Sequence, residues 1–364
     1  MTSQIKEVYL KDVVLQDYRN FSDVHLEFSP GINVIVGSNG SGKTNILESI
    51  SLLAPGKGLK SSNFDIICKS GMDSWKSRFT AKSKIGVSEI ESSFNIAQKP
   101  REIKYNGSKI SSNALLDLLN VVWLTPQMEG LFLDSTSVRR RFLDRIVYNF
   151  DVRHAKHITS YEHFMRERNK ILAQGNVMSE SAYLSTIEER MATDAENIEN
   201  ARNKTITLMQ GVIDSLDTEF PKASLDLTKL SEEQDNWDDF TKEYASILKE
   251  NRQKDSYSGR ANFGIHKADL LISHKEKECL AKICSTGEQK ALLISVILSS
   301  IEFIKQNTGA APILLLDELF VHLDIERKNQ LIEYIISTKL QTFITTADIV
   351  DAGKLGSIAH IINL

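Results

Sequence analysis

Hydrophobic and polar positions divide the chain into stretches of different period. Near the start, Val8-Tyr9-Leu10 and Val13-Val14-Leu15 suggest strands. Val24, Leu26 and Phe28 then alternate with His25 and Glu27, as a half-buried strand does. Pro30-Gly31 turns the chain into the apolar run Ile32, Val34, Ile35 and Val36, which reads as a buried strand. Ile46, Leu47, Ile50 and Leu53 follow at helical spacing until Ala54-Pro55-Gly56-Lys57-Gly58 breaks the period. Between residues 64 and 110 short strands and polar turns are expected, with Asn106-Gly107 closing a hairpin. A short helix from Ala114 to Leu119 leads to the apolar strand Val121–Leu124, ended by Thr125-Pro126.

From about Asp134 to Glu219 the pattern is helical. Leu184, Met191, Ile198, Thr205 and Val212 recur every seventh residue, with Ile187, Ala201 and Leu208 on the companion positions. Asp194 and Ser215 interrupt that second series, which predicts packing on a neighbouring helix rather than a long free coil. Gly175-Asn176 marks the break from an earlier helix carrying Tyr161, Phe164, Ile171 and Leu172. Residues 231–255 are very polar and close the insertion. From about Tyr257 an α/β pattern returns: a strongly apolar helix at Ala291–Ile304, a buried strand at Pro312–Glu318 and a helix at Ile325–Ile336. Strands at Thr342–Thr346 and His360–Ile362 follow. Helices between strands imply parallel crossovers. The expectation is one head, residues 1–133 and 256–364, interrupted by a helical lobe at 134–255.

Composition narrows the class. At 364 residues, with 41% hydrophobic and 25% charged positions, the chain is ordinary for a globular protein of about two domains. No apolar run approaches the ~20 residues that span a bilayer, so no membrane partner is expected. No signal-peptide h-region precedes the first strand. Three cysteines without metal-ligand spacing suit a reduced, cytoplasmic protein. A net charge of −4 confines any nucleic-acid contact to a local patch.

The chemistry begins at Gly37-Ser38-Asn39-Gly40-Ser41-Gly42-Lys43-Thr44, which matches the phosphate-binding pattern G-x-x-x-x-G-K-[ST]. A glycine-rich turn with a surface lysine could match by accident. The strand before and the helix after favour the loop that aims backbone N–H groups at phosphates. Lys43 then reaches the β- and γ-phosphates and the Thr44 hydroxyl holds Mg²⁺. Asp317 and Glu318 end a buried strand, where the first can help hold the metal and the second can orient or deprotonate water. Ser285-Thr286-Gly287-Glu288 opens the apolar helix as a capping box, and a serine-capped helix N-terminus is also an anion site.

Taken together, Gly37–Thr44, Gln127, Ser285–Glu288, Ile313–Glu318 and Leu323-Asp324 resemble the Walker A, Q-loop, signature, Walker B and D-loop of ATP-binding-cassette and SMC-type heads. Tyr18-Arg19-Asn20-Phe21, Arg139-Arg140-Arg141-Phe142-Leu143-Asp144 and Gly264-Ile265-His266-Lys267-Ala268-Asp269 narrow the likeness to the RecF family of bacterial recombination mediators. The resemblance implies an α/β P-loop ATPase head, a mixed sheet with an antiparallel β subdomain, carrying an inserted helical lobe. It further implies a homodimer formed around ATP, binding to duplex and gapped DNA, and work with RecO and RecR to load RecA in gap repair and the SOS response. By position, Lys43 and Glu318 serve catalysis and Gln127 senses the γ-phosphate. Thr44 and Asp317 serve Mg²⁺, and Ser285 and Gly287 meet the partner subunit's nucleotide.

Three departures point to slow, switch-like hydrolysis. Thr286 replaces a common glycine, Thr345-Thr346-Ala347 stands where transporters carry a switch histidine, and Phe320-Val321-His322 precedes the D-loop. Arg139, Arg140, Arg141 and Arg145 could contact DNA phosphates along a helix, or form an ion-paired structural element. Lys57 and Lys60 are second DNA candidates; His266 and Lys267 lie near nucleotide or merely end a strand. Two alternatives weigh less. A transport ATPase subunit has a far shorter gap than the 241 positions from Thr44 to Ser285. An ATPase-linked nuclease needs a further cluster of metal-binding acids. The inserted helices are too short for SMC arms.

Overall fold

The computed structural model describes residues 8–83, 86–175, 180–318, 323–348, 355 and 357–364. In chain order these form β1 (Tyr9–Tyr18), β2 (Phe21–Glu27), β3 (Ile32–Val36), α1 (Lys43–Ser51), β4 (Ser74–Ser83), β5 (Gly86–Asn95), β6 (Glu102–Tyr105), β7 (Ser108–Ile110) and β8 (Val121–Leu124). Next come α2 (Thr136–Tyr148), α3 (His154–Ala173), α4 (Ser181–Ser215), β9 (Ala223–Leu227), α5 (Phe240–Glu250), α6 (Arg252–Ser258), β10 (Leu270–His274) and β11 (Cys279–Leu280). The chain ends with α7 (Thr286–Thr308), β12 (Ile313–Leu316), α8 (Ile325–Thr338), β13 (Thr342–Thr346) and β14 (His360–Asn363). Two compact units result. One runs through Glu129 and takes in Leu216–Pro221 and Ser285–Leu364; the other is Gly130–Ser215 with Lys222–Cys284.

In the first unit, five strands pair in parallel in the order β14-β3-β13-β12-β8. Every residue of β8, β12 and β13 is buried, which is why these strands read as continuous apolar runs rather than alternating ones. Parallel pairing gathers the C-terminal ends of β3, β13, β12 and β8 along one edge, where α/β sheets place their ligands. A six-stranded antiparallel sheet, β2-β1-β4-β5-β6-β7, forms a second layer. Its Val13, Leu15, Phe79, Ile90 and Phe94 join Ile46, Leu47 and Ile50 of α1, and Ile35, Leu315 and Phe343, in one core. Ile46, Leu47 and Ile50 are fully buried, each contributing about 1.5–3 kcal/mol. The helix that follows the glycine loop is thus pinned on both sides. The Asn106-Gly107 hairpin is as expected, with both residues at positive φ (48° and 81°). The expected helix at 114–119 is a 3₁₀ segment, Ser112–Asp117.

The second unit is a helical hairpin with a small sheet. Leu184, Met191, Ile198, Thr205 and Val212 are all buried, as are Ile187 and Ala201. Leu208 is 40% exposed, so the seam ends there on that series. Asp194 is buried because it pairs with His157 Nδ1 at 2.8 Å. Partners such as His157–Asp194 and Arg168–Glu188 show α3 and α4 running antiparallel. Gly175 is left-handed (φ 72°), while Asn176 lies outside the described residues. Arg168 is fully buried and bonds Glu188 (2.9 Å), Asp255 (2.7 Å) and the Leu248 carbonyl (2.6 Å).

Residues 256–284, expected with the head, fall in this unit instead. The reason is strand pairing: β10 lies antiparallel between β9 and β11. The alternating burial of β9 and β10 marks a one-faced antiparallel ribbon, unlike the continuous apolar strands of the parallel sheet.

Candidate nucleotide site

The glycine loop rises from β3 and closes on α1. Its last glycine, Gly42, is both the N-cap of α1 and left-handed at φ 110°. A Cβ there would lie 2.4 Å from Phe21 Cζ and within 2.9 Å of the Asn20 side chain, so only glycine fits. No side chain caps α1, which leaves the N–H groups of Lys43 and Thr44 at its start to an anion. Asn20 braces the loop, donating to the Ser41 carbonyl (3.0 Å) and accepting from Asn45 Nδ2 (2.8 Å). Arg19 adds a bidentate pair to the fully buried Glu48 of α1 (2.7 and 2.5 Å) and bonds to Ser62 and the Ile66 carbonyl. That pairing holds the guanidinium above its usual pKa. The Tyr18–Phe21 stretch is therefore the under-support of the phosphate loop.

Lys43 is 4% exposed, and its Nζ donates to the carbonyls of Gly37 (2.7 Å) and Ser38 (3.1 Å), folded back over the loop. Glu318 Oε1 stands 3.8 Å from the same Nζ. The Thr44 hydroxyl donates to Asp317 Oδ1 at 2.9 Å, joining the start of α1 to the end of β12. Thr345 completes the group: its hydroxyl donates to Asp317 Oδ1 (2.8 Å) and accepts the Glu318 N–H (2.9 Å). Glu318 itself adopts φ 47°. Asn39, Gly40, Gly42, Lys43, Thr44, Asn45, Lys60 and Glu318 line a cavity of about 360 Å³.

Lys60, taken from the sequence as a DNA candidate, is one wall of this cavity and donates to Asn45 Oδ1 at 2.7 Å. Burial lowers its pKa, against the pull of Glu48. Lys57 is exposed and bonds Asn63 Oδ1. Gln127 is exposed just past β8, on the edge shared by the strand ends, and does not line the cavity.

Ser285 and Gly287 lie outside the cavity, at the start of α7. The capping box forms in full: Ser285 N–H and Oγ reach Glu288 Oε2 (2.9 and 2.8 Å), and Glu288 N–H reaches Ser285 Oγ (3.4 Å). Arg327, which the sequence did not single out, donates to the Gly287 carbonyl (2.9 Å) and pairs with Asp324 Oδ2 (3.4 Å). A Cβ at Gly287 would meet Arg327 Nη1 at 3.1 Å. One guanidinium thus ties the signature turn to the D-loop acid. Phe320-Val321-His322 lies outside the described residues.

The arginine run divides. Arg139 makes a bidentate pair with Asp269 (2.7 and 2.8 Å) and donates to the Asp134 carbonyl (2.5 Å). Arg140 donates to the Ala268 carbonyl (2.7 Å). Both are bonded inside their own unit, whereas Arg141 is exposed. His266 is likewise internal to that unit, bonded to Tyr161 (2.9 Å), which meets Tyr244 at 2.8 Å. Gly264 must be glycine beneath these hydroxyls, since a Cβ would be 2.3 Å from Tyr161 Oη. Lys267 is exposed.

Known proteins resemble this chain along nearly its whole length. Residues 9–350 match the family described as RecF/RecN/SMC N terminal domain. The DNA replication and repair protein RecF of Rickettsia bellii (strain OSU 85-389) is 45% identical over 362 residues, 99% of this chain and 100% of that protein. Its counterpart in Rickettsia felis is 43% identical over 99% of each. Among solved structures, the recombination mediator protein RecF-ATPrS in the RecFOR pathway superposes with a TM-score of 0.84 at 23% identity, covering 96% of this chain and 95% of that one. A Pyrococcus furiosus Smc head domain reaches 0.52 at 18% identity, covering 98% and 93%.

Proposed function

The chain belongs to the RecF family, and from that premise and the loop geometry we propose an ATP-driven switch that acts on DNA in recombinational repair. ATP binds with its phosphates on Gly37–Thr44 and is hydrolysed slowly. The observation that carries this reading is the convergence of the start of α1 with the end of β12. Lys43 lies over the loop, Thr44 is 2.9 Å from Asp317, and Glu318 stands at the cavity wall.

The donor set suits Mg²⁺: a hydroxyl and a carboxylate, both hard oxygen ligands, lie side by side. When bound, Mg²⁺ would neutralise charge on the β- and γ-phosphates. The residues of the chain do the rest. Lys43 exchanges its carbonyl partners for phosphate oxygens, Glu318 accepts a proton from the attacking water, and Lys60 adds positive charge at the cavity wall. Gln127 senses the γ-phosphate from the neighbouring strand end. Ser285 and Gly287, which do not line the chain's own cavity, meet the nucleotide of a second copy, so ATP links an isologous dimer. Duplex and gapped DNA are the substrates, with Arg141 and Lys57 the exposed cations offered to phosphates. RecO- and RecR-type mediators are the partners through which RecA is loaded. The names of the relatives and the RecFOR structure support this assignment.

The test is a fluorescent-ATP titration of wild type and Lys43→Ala. Removal of a charge-assisted phosphate contact should weaken affinity at least about ten-fold. Equal affinity would place the nucleotide elsewhere.

A further inference from the structure

The hydroxyl of Thr345 has two lone pairs and one proton, and it bonds the Asp317 carboxylate and the Glu318 main chain. Its proton goes to Asp317 Oδ1 at 2.8 Å, and it accepts the main-chain N–H of Glu318 at 2.9 Å. Thr345 is 1% exposed and Asp317 8%, so solvent has little access to replace either bond. Thr346 cannot substitute, because its own hydroxyl donates to the Asp348 carbonyl at 2.9 Å. Two consequences follow. Asp317 receives hydroxyls from Thr345 and Thr44 on the same oxygen, which fixes the plane of its carboxylate. Glu318, a non-glycine residue at φ 47°, is held in a conformation that costs energy unless a partner retains it.

We infer that Thr345 is a positioning residue for the hydrolytic site. One hydroxyl at the end of β13 aims the Asp317 carboxylate at the metal position and holds the Glu318 backbone so that its side chain faces the phosphate loop. The inference rests on the ATPase reading above. Its register explains why the residue is on this strand. β13 lies between β3 and β12, and Leu316 opposes Ile344, which brings Thr345 beside the residues that leave β12. A hydroxyl at this point reaches both acidic residues.

The experiment compares wild type, Thr345→Val and Thr345→Ser. Valine keeps shape and β-branching while removing the hydroxyl; serine keeps the hydroxyl. Two readouts are taken: fluorescent-ATP binding with EDTA or graded Mg²⁺, and phosphate release at saturating ATP. In Thr345→Val, the half-saturating Mg²⁺ should rise and kcat should fall, each by about 10–100-fold, as when an outer partner of a metal ligand is removed. Binding in EDTA should not change, and Thr345→Ser should restore both quantities. Wild-type Mg²⁺ midpoint and kcat in Thr345→Val would overturn the inference. So would equal loss in both variants, which would assign the effect to the methyl group. Loss of binding in EDTA would overturn it too, by making Thr345 a support of the loop itself. A wild type that releases no phosphate would refute the ATPase reading instead, and the Mg²⁺ midpoint of binding would then decide the case of Thr345 alone.

Discussion

Arg139→Ala should unfold the helical unit more easily without loosening DNA. The guanidinium is 14% exposed and Asp269 is 16% exposed, and two parallel N–H···O bonds of 2.7 and 2.8 Å join them. This lies between an exposed pair, worth up to about 1 kcal/mol, and a buried pair, whose breaking costs about 3–5 kcal/mol. The Asp134 carbonyl loses a charged donor as well, a further fraction of about 1.5–3 kcal/mol. A total near 3 kcal/mol is expected, equal to a Tm fall of roughly 6–12 °C in a unit of about 150 residues. Thermal and urea unfolding of Arg139→Ala, Asp269→Ala and the double variant form the cycle. The single losses should be far from additive. Fluorescence anisotropy on a labelled gapped duplex should give an unchanged salt slope for Arg139→Ala, whereas Arg141→Ala should lower it by about one contact. An undisturbed melt with a reduced slope in Arg139→Ala would refute the structural assignment and return Arg139 to the DNA face.

Two further outcomes follow. Burial pulls His266 down to about 4 from 6.5, so the unfolded chain binds its proton first as pH falls. Stability should therefore be lost between about pH 6.5 and 4, by up to about 3 kcal/mol relative to His266→Asn, and should be flat in that comparison above 6.5; a pH-independent difference would show that the folded ring takes up its proton as easily as the unfolded one. Ser285→Arg should leave nucleotide binding of the monomer intact, remove a cap worth about 1 kcal/mol and block association. Sedimentation of wild type should show dimer with ATP and monomer with ADP, and a dimer that forms equally in ADP or survives the substitution would locate the interface elsewhere.

Much of the head was legible because its signals are local. The Gly37–Thr44 pattern, the all-apolar runs at 121–124 and 313–316, and the Asn106-Gly107 turn each specify backbone geometry within a few residues. Thr345, Asn20 and Arg327 were not legible as site residues, since their partners lie 28, 21 and 40 positions away and only sheet register and helix packing bring them together. The arginine run shows the same limit from the other side. Its charge is plain in the sequence, but nothing local says that Asp269, 130 residues on, claims Arg139. Residues 256–284 were placed with the head because returning strands suggested the parallel sheet. The alternation in Leu270–His274 was the available sign that they belong to a one-faced ribbon instead. In Ser181–Ser215 the seven-residue period gave the buried stripe, and the polar Asp194 within it was explained only when His157 came into view across the hairpin.

The division of labour between Asp317 and Glu318 is the centre of the account, and Glu318→Gln tests it most directly. Glutamine keeps the size of the side chain and the bond from the Glu318 N–H to Thr345, but it cannot accept a proton. Fluorescent-ATP titration and single-turnover phosphate release would be run on wild type, Glu318→Gln and Lys43→Ala. The prediction for Glu318→Gln is wild-type affinity with turnover lowered by about 10²–10⁴-fold, the range for a removed general base. Affinity lost to the extent seen in Lys43→Ala, or turnover at the wild-type rate, would contradict it.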